Sequence, residues 1–425
     1  MKAAPVLNAG ALQSVELRLA ATDRMLEHSY PGDDGTRQPI HTAYVPADKF
    51  NETLAADWGG AALEAAASAG GLEAIARSLG LEQTQRLAEL VGLKLGSEPI
   101  EDLRLDFEDG YGNRGDAEED ASASEAARLV ARAVAGGTAP PFIGIRFKCF
   151  EAPTRSRALR TLDLFLSELS AHGPLPSGLV LTLPKVTTVA QVEAMVFICE
   201  ELELAHGLAP GRLRFEVQME TPQLILSQDG TVPSARLIHA GKGRVSSLHY
   251  GTYDYSASLG IAAAYQSMEH PAADYAKSVM QVAVAGTGVH LSDGSTNILP
   301  LGSPKDVAGA WALHARLVRR HLERGIYQGW DLHPAQLVTR YLATYSFYRD
   351  GFGAAARRLN NYVHQIESSI MDEPATARAL ARFIHRGHSC GALTLEEISA
   401  EAGIGFGQLE EIALSRHTTK EECHV

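Results

Sequence analysis

Six short apolar segments of the 425-residue chain end in side chains able to do chemistry. "LDFEDGYG" carries Asp106, Glu108 and Asp109, "GIRFK" carries Arg146, "LPKV" carries Lys185, and "VQMETPQ" carries Glu220. "GTYDYSASLG" carries Asp254, and "GWDLHPAQL" carries Asp331 and His333. Any one such carboxylate is ordinarily a helix cap or an ion-pair partner. Together they are harder to explain in that way, because like charges gathered out of water require a cation or a partner. Glu220 and Asp254 are the expected metal pair: two carboxylates that leave positions open suit an octahedral magnesium ion, which keeps waters or takes substrate oxygens. Zinc would call for His or Cys clusters, and the chain has no H-E-x-x-H. Arg146 offers a planar fork for a carboxylate or phosphate. A magnesium ion beside an arginine is a site for an anionic oxo acid, chelated while an enolate develops. His249 and Tyr253 flank the Asp254 segment and are candidate acids or bases, histidine being matched to neutral pH. A structurally hydrogen-bonded His249 is the equal alternative, and His333, in a His-Pro pair, is expected to fix a loop.

These groups meet only if the elements carrying them converge. Apolar segments alternate with helical stretches such as "SASEAARLVARAVA". Strands are predicted near 41–46, 102–107, 142–147, 178–184, 213–219, 245–251, 280–286 ("MQVAVAG") and 325–331. Eight strands alternating with helices predict a TIM (β/α)8 barrel, whose strand ends collect at one open face where chemistry is built. Residues 1–40 are expected to form a helix and loop ahead of the barrel, 41–345 the catalytic barrel, and 346–425 a helical C-terminal extension. In that extension Asp372 and Pro374 open one helix, and Thr394 with Glu397 makes a capping-box pattern before another.

Composition excludes several classes of partner. The chain has 38 Lys and Arg against 51 Asp and Glu, a net charge of −13, so a nucleic-acid backbone is not the expected ligand. The four cysteines, Cys149, Cys199, Cys390 and Cys423, form no C-x-x-C pair and are expected to be reduced thiols in a cytoplasmic protein. No signal peptide or membrane-length apolar run is read in the sequence.

The same segments, in the order "AYVPADKF", "LDFEDGYG", "GIRFK", "LPKV", "VQMETPQ", "GTYDYSASLG" and "GWDLHPAQL", resemble the HpcH/HpaI aldolase and citrate lyase β-subunit superfamily. Malate synthase is a more distant resemblance, and the likeness spans about residues 40–345. The resemblance implies a TIM barrel, usually a homo-oligomer, that makes or breaks carbon–carbon bonds through an enolate stabilised by magnesium. By position it implies Glu220 and Asp254 as magnesium ligands, Arg146 as the anchor of a substrate carboxylate, and Glu108, Asp109 and Lys185 as pocket residues. Its substrates are oxo or hydroxy acids or their coenzyme A thioesters. The chain departs from the pattern with an extra "NRGDAEED" after "LDFEDGYG", with "TYDYSAS" in place of a shorter Glu-Asp form, and with the helical extension. No segment is assigned to coenzyme A, which enters only as part of a substrate.

The expected activity is therefore a Mg2+-dependent lyase or aldolase acting on a small anionic oxo or hydroxy acid, alone or as its thioester. One alternative is phosphoryl transfer or thioester hydrolysis on a phosphoenolpyruvate-like or acyl-CoA substrate at the same site. Another is a non-catalytic metabolite-binding barrel. "GHSCG" at 387–391 matches G-x-S-x-G, but it follows a helix and not the strand that a nucleophile elbow needs. "GTGVHLSDG" has Leu291 where a dinucleotide loop has its third glycine.

Overall fold

The computed structural model describes residues 6–366 and 372–414. Eight parallel strands form one sheet: β1 (His41–Pro46), β2 (Asp102–Asp106), β3 (Phe142–Arg146), β4 (Leu181–Leu183), β5 (Phe215–Met219), β6 (Val245–Tyr250), β7 (His290–Ser292) and β8 (Gly329–Asp331). Each strand pairs with its neighbour in sequence, β8 pairs with β1, and a parallel bridge between Ser292 and Gln328 closes the ring. The fold is a TIM barrel wrapped in helices. Among the described residues no helix is long and apolar enough to cross a membrane.

The seventh predicted strand is corrected. "MQVAVAG" is mostly the end of the helix Pro271–Val284, and β7 is the three-residue segment His290–Ser292. Short apolar runs do not separate buried strand from buried helix, and here Met280 lies on the buried face of an amphipathic helix. β7 falls instead inside the glycine-flanked stretch considered above as a dinucleotide loop.

Alternation along the strands sorts the side chains. Leu103, Leu105 and Phe107, with Ile143, Ile145 and Phe147, and Phe215, Val217 and Met219, are buried in the hydrophobic core of the barrel. Their period-two partners are polar, and they meet across the ring, which places them inside it. Arg104 on β2 forks to Asp102 (2.6 and 3.0 Å) and to Glu216 on β5 (2.7 and 3.3 Å). Thr182 of β4 donates to Glu216 at 2.6 Å, and Tyr44 of β1 donates to it at 3.1 Å. Burial alone would raise the Glu216 carboxyl, but Arg104, then His249, and these hydrogen bonds outweigh it and bring it down to about 2. The barrel interior is thus a polar column in which two carboxylates, Asp102 and Glu216, share the one guanidinium of Arg104.

The 30-residue helix Pro334–Val363 runs past the barrel. Its second half, with Phe352, Ala356 and Leu359, packs with the helices Pro374–Ser389, Leu395–Ala402 and Phe406–Leu414 around a second apolar core. The division at 345/346 therefore falls inside one continuous helix. The helix Ala9–Ser29 buries no residue.

Candidate active site at the carboxyl ends of the strands

The segment after β2 turns at once because Asp106 accepts the backbone N–H groups of Glu108 (2.9 Å) and Gly110 (2.7 Å). Lys148, two residues past β3, secures the same loop by donating to the carbonyls of Phe107 (2.8 Å) and Gly112 (3.1 Å) and to Glu119 (2.7 Å). Sequence reasoning missed Lys148; its place two residues beyond Arg146 on an alternating strand is the signal that could have found it. The loop so held presents Glu108, which is buried, and Asp109, which is exposed.

Arg146 ends β3 inside the ring, over the Tyr44 ring at 4.8 Å from its centroid. Its Nε and Nη2 are occupied by Asp106 at 2.7 and 2.6 Å, so the fork expected to grip a substrate is already engaged on one edge. The edge that remains is Nη1, 3.4 Å from Glu108 and 3.9 Å from Asp109. Burial would raise the Asp106 carboxyl, yet Arg146 and the two backbone N–H groups hold it below its ordinary value.

Lys185 follows β4 with a left-handed backbone, φ 48°, which non-glycine residues adopt at a cost of about 1–3 kcal/mol. In that conformation its backbone N–H donates to Glu220 at 2.7 Å, while its ammonium reaches Asp109 at 2.7 Å and Glu108 at 2.9 Å. Burial alone would lower the ammonium; the two carboxylates outweigh it and raise it.

Glu220 directly follows β5, and Pro222 starts a short 3-10 turn that ends strand pairing. Gly251 gives it room: a Cβ there would meet the Glu220 side chain at 2.4 Å. The Glu220 carboxyl is pushed up to about 8, by burial first and then by the charges of Glu108 and Asp254. Asp254 lies in the first turn of the helix Thr252–Ser258, one element past the strand end expected to carry it. Burial raises it as well, against the pull of Lys185. Glu108 is raised by burial and by Asp109, and its Oε2 is buried without a hydrogen-bond partner.

Four expected residues lie outside this group. His249 is fully buried in the interior column, with Ser247 at 2.8 Å, Glu216 at 3.2 Å and the Trp330 ring as its partners. Burial holds it neutral, down at about 4. Its inward strand position lies below the rim, because it pairs with Gln218, two residues before Glu220. Asp331 faces outward from β8 and binds Arg340 at 3.0 Å, with His41 and His314 at 3.1 and 3.2 Å. His333 caps the helix Pro334–Val363 by accepting from the Ala335 N–H at 3.2 Å. Tyr253 is tied to the loop after β7, where its hydroxyl accepts from the Asn297 N–H at 2.6 Å.

The remaining constellation fits a divalent cation. The orphaned Glu108 Oε2 and the raised Glu220 and Asp254 carboxyls mark a local excess of negative charge. Among the described residues no three His, Cys, Asp or Glu side chains form a ready metal cluster. Two carboxylates completed by water and substrate oxygens is an arrangement that magnesium accepts and zinc ordinarily does not.

A family model described as a domain of unknown function (DUF6986) matches residues 19–417. No curated protein matches the chain. Among solved structures, a citrate lyase from Burkholderia xenovorans LB400 superposes with a TM-score of 0.58 at 19% identity, covering 87% of this chain and 97% of that one. A Haloferax volcanii malate synthase in a magnesium/glyoxylate complex gives 0.48 at 15% identity, over 89% and 98% of the two chains. The protein CitE from Mycobacterium tuberculosis, in complex with magnesium, acetoacetate and coenzyme A, gives 0.45 at 18%, over 87% and 100%. The first likeness establishes the shared barrel fold. Because the family model covers nearly its whole length, the chain belongs to the family described as a domain of unknown function, DUF6986.

Proposed function

We propose that the protein is a cation-dependent carbon–carbon lyase or aldolase acting on a small oxo or hydroxy acid, free or as its coenzyme A thioester. The observation that carries this reading is the set of four carboxylates, Glu108, Asp109, Glu220 and Asp254, gathered with Arg146 and Lys185 where the strands end. Glu220 and Asp254 would hold the ion. Bound there, a magnesium ion supplies Lewis acidity toward a substrate carbonyl. Arg146 orients the acid through its Nη1 edge, which faces Glu108 and Asp109 in ion pairs longer than those to Asp106, and is kept in place by Asp106 and the Tyr44 ring below. Lys185 steadies Glu108 and Asp109 and sets the Glu220 carboxylate through its own backbone N–H. Glu108, raised by burial and carrying an unpartnered oxygen, is the group positioned to accept a proton from the carbon beside the carbonyl and to return it. His249, buried and neutral, serves the column and not the proton transfer.

The test is a magnesium-dependent screen of glyoxylate, pyruvate, oxaloacetate and hydroxyacyl thioesters, read by mass spectrometry. A product pair related by one carbon–carbon bond supports the reading. Release of phosphate or free coenzyme A with no carbon fragment overturns it in favour of hydrolysis or phosphoryl transfer.

A further inference from the structure

The other end of the barrel, where the strands begin, holds a cavity of about 160 Å³ lined in part by Asp34, Arg104, Arg212, Arg214, Ser246 and His290. The segment through Asp34 and Arg37 forms its outer wall, fixed by the Gly32 N–H on the Gly286 carbonyl (2.8 Å) and by Arg37 on Glu98 and Glu101. Arg104 forms the floor and is satisfied by Asp102 and Glu216.

Arg212 and Arg214 are not satisfied in that way. They precede β5 two residues apart, on the inward side of the alternation that continues through Glu216 and Gln218. Arg212 donates to the carbonyls of Leu175, at 3.2 Å, and Pro176. Burial lowers it, and the only opposing charge is Glu203. The Nε of Arg214 is buried with no hydrogen-bond partner among the described residues, and so is the Oγ of Ser246. Asp34 feels the charge of Arg214, but its Oδ1 accepts the Thr36 N–H at 2.8 Å. His290, kept neutral by burial, adds no charge to the cavity.

A buried donor left without a partner costs about 1–3 kcal/mol, and a water molecule would satisfy the donor but not the charge. We propose that this cavity is a second binding site, for a small oxyanion (a carboxylate or a phosphate) held by Arg214 with Arg212 and Ser246. The planar guanidinium fork matches both chemistries. A cavity of about 160 Å³ suits one small acid. The site stands apart from the lyase reading, because it lies at the opposite end of the barrel.

The experiment is calorimetric titration of the full chain with inorganic phosphate and, separately, with malonate, at low ionic strength. One saturable site for either anion is expected, and whichever binds identifies the source. Arg214→Gln weakens it by about tenfold or more, as loss of a buried charged hydrogen-bond partner does, and Arg214→Lys restores part of the affinity. Glu220→Gln, at the other end, leaves it unchanged. Circular dichroism confirms that each variant is folded. The proposal is overturned if neither anion binds, if folded Arg214→Gln binds as the parent does, or if Glu220→Gln abolishes binding.

Discussion

The two ends of this barrel carry opposite imbalances of charge, and in the column between them every ion is paired. At the carboxyl ends of the strands four carboxylates crowd two cations, one of which, Arg146, is already committed to Asp106. At the amino ends Arg212 and Arg214 face a cavity whose carboxylates are Asp102 and Glu216, both bound to Arg104, and Asp34, which among the described residues makes no ion pair with either arginine. In the column, Arg104 is balanced by Asp102 and Glu216. Buried charge alone therefore does not mark a site in this molecule; buried charge without its counter-ion does.

The comparison breaks most severely if the column is opened. Arg104→Met leaves the Asp102 and Glu216 carboxylates buried together without their cation and should cost about 3–5 kcal/mol in urea unfolding; a loss under about 1 kcal/mol would mean that the column does not stabilise the barrel. A smaller effect separates column from rims by pH. Burial pushes the folded His249 imidazole down to about 4, below its ordinary 6.5. The unfolded chain takes up a proton through this window and the folded chain does not, so the contribution is complete above pH 6.5 and is lost as pH falls toward 4. At about 1.4 kcal/mol per unit, the upper limit is about 3 kcal/mol. His249→Gln should flatten this slope in denaturation curves measured across the window, and an unchanged slope would remove the histidine from the account.

Smaller still is the effect of Lys185→Met, which withdraws positive charge from the carboxylate-rich rim while leaving the backbone N–H on Glu220. Magnesium affinity should rise by about threefold to tenfold, or ~0.6–1.4 kcal/mol. Weaker binding would show that Lys185 supports the ion. An effect of similar size is expected far from both rims: Thr394→Ala removes a capping box and should cost about 1 kcal/mol in thermal or urea unfolding, with no change in ligand binding.

Much of this organisation is legible in the chain. β1 lies at 41–46, where its short apolar segment predicts a strand, and Glu220 sits where Pro222 stops the strand. The stretch Arg214-Phe-Glu-Val-Gln-Met-Glu220 read as an apolar strand with a terminal acid, yet its strict alternation already encodes a polar inner face and an apolar outer one. What sequence could not supply is partnership across the ring. That Arg104 meets Glu216, 112 positions away, depends on register between strands that are not neighbours. Asp331 looked like a rim residue, but its parity on β8 turns it outward to Arg340, while Trp330 fills the interior beside Tyr44 and His249. The same blindness made the Arg146 fork look free.

The central claim, a cation site built on Glu220 and Asp254, is tested most directly by calorimetric titration of magnesium into the parent chain, Glu220→Ala and Asp254→Ala, each checked for a folded barrel. The account predicts one ion bound by the parent and affinity reduced by about tenfold or more in both variants. Equal affinity in all three would contradict it.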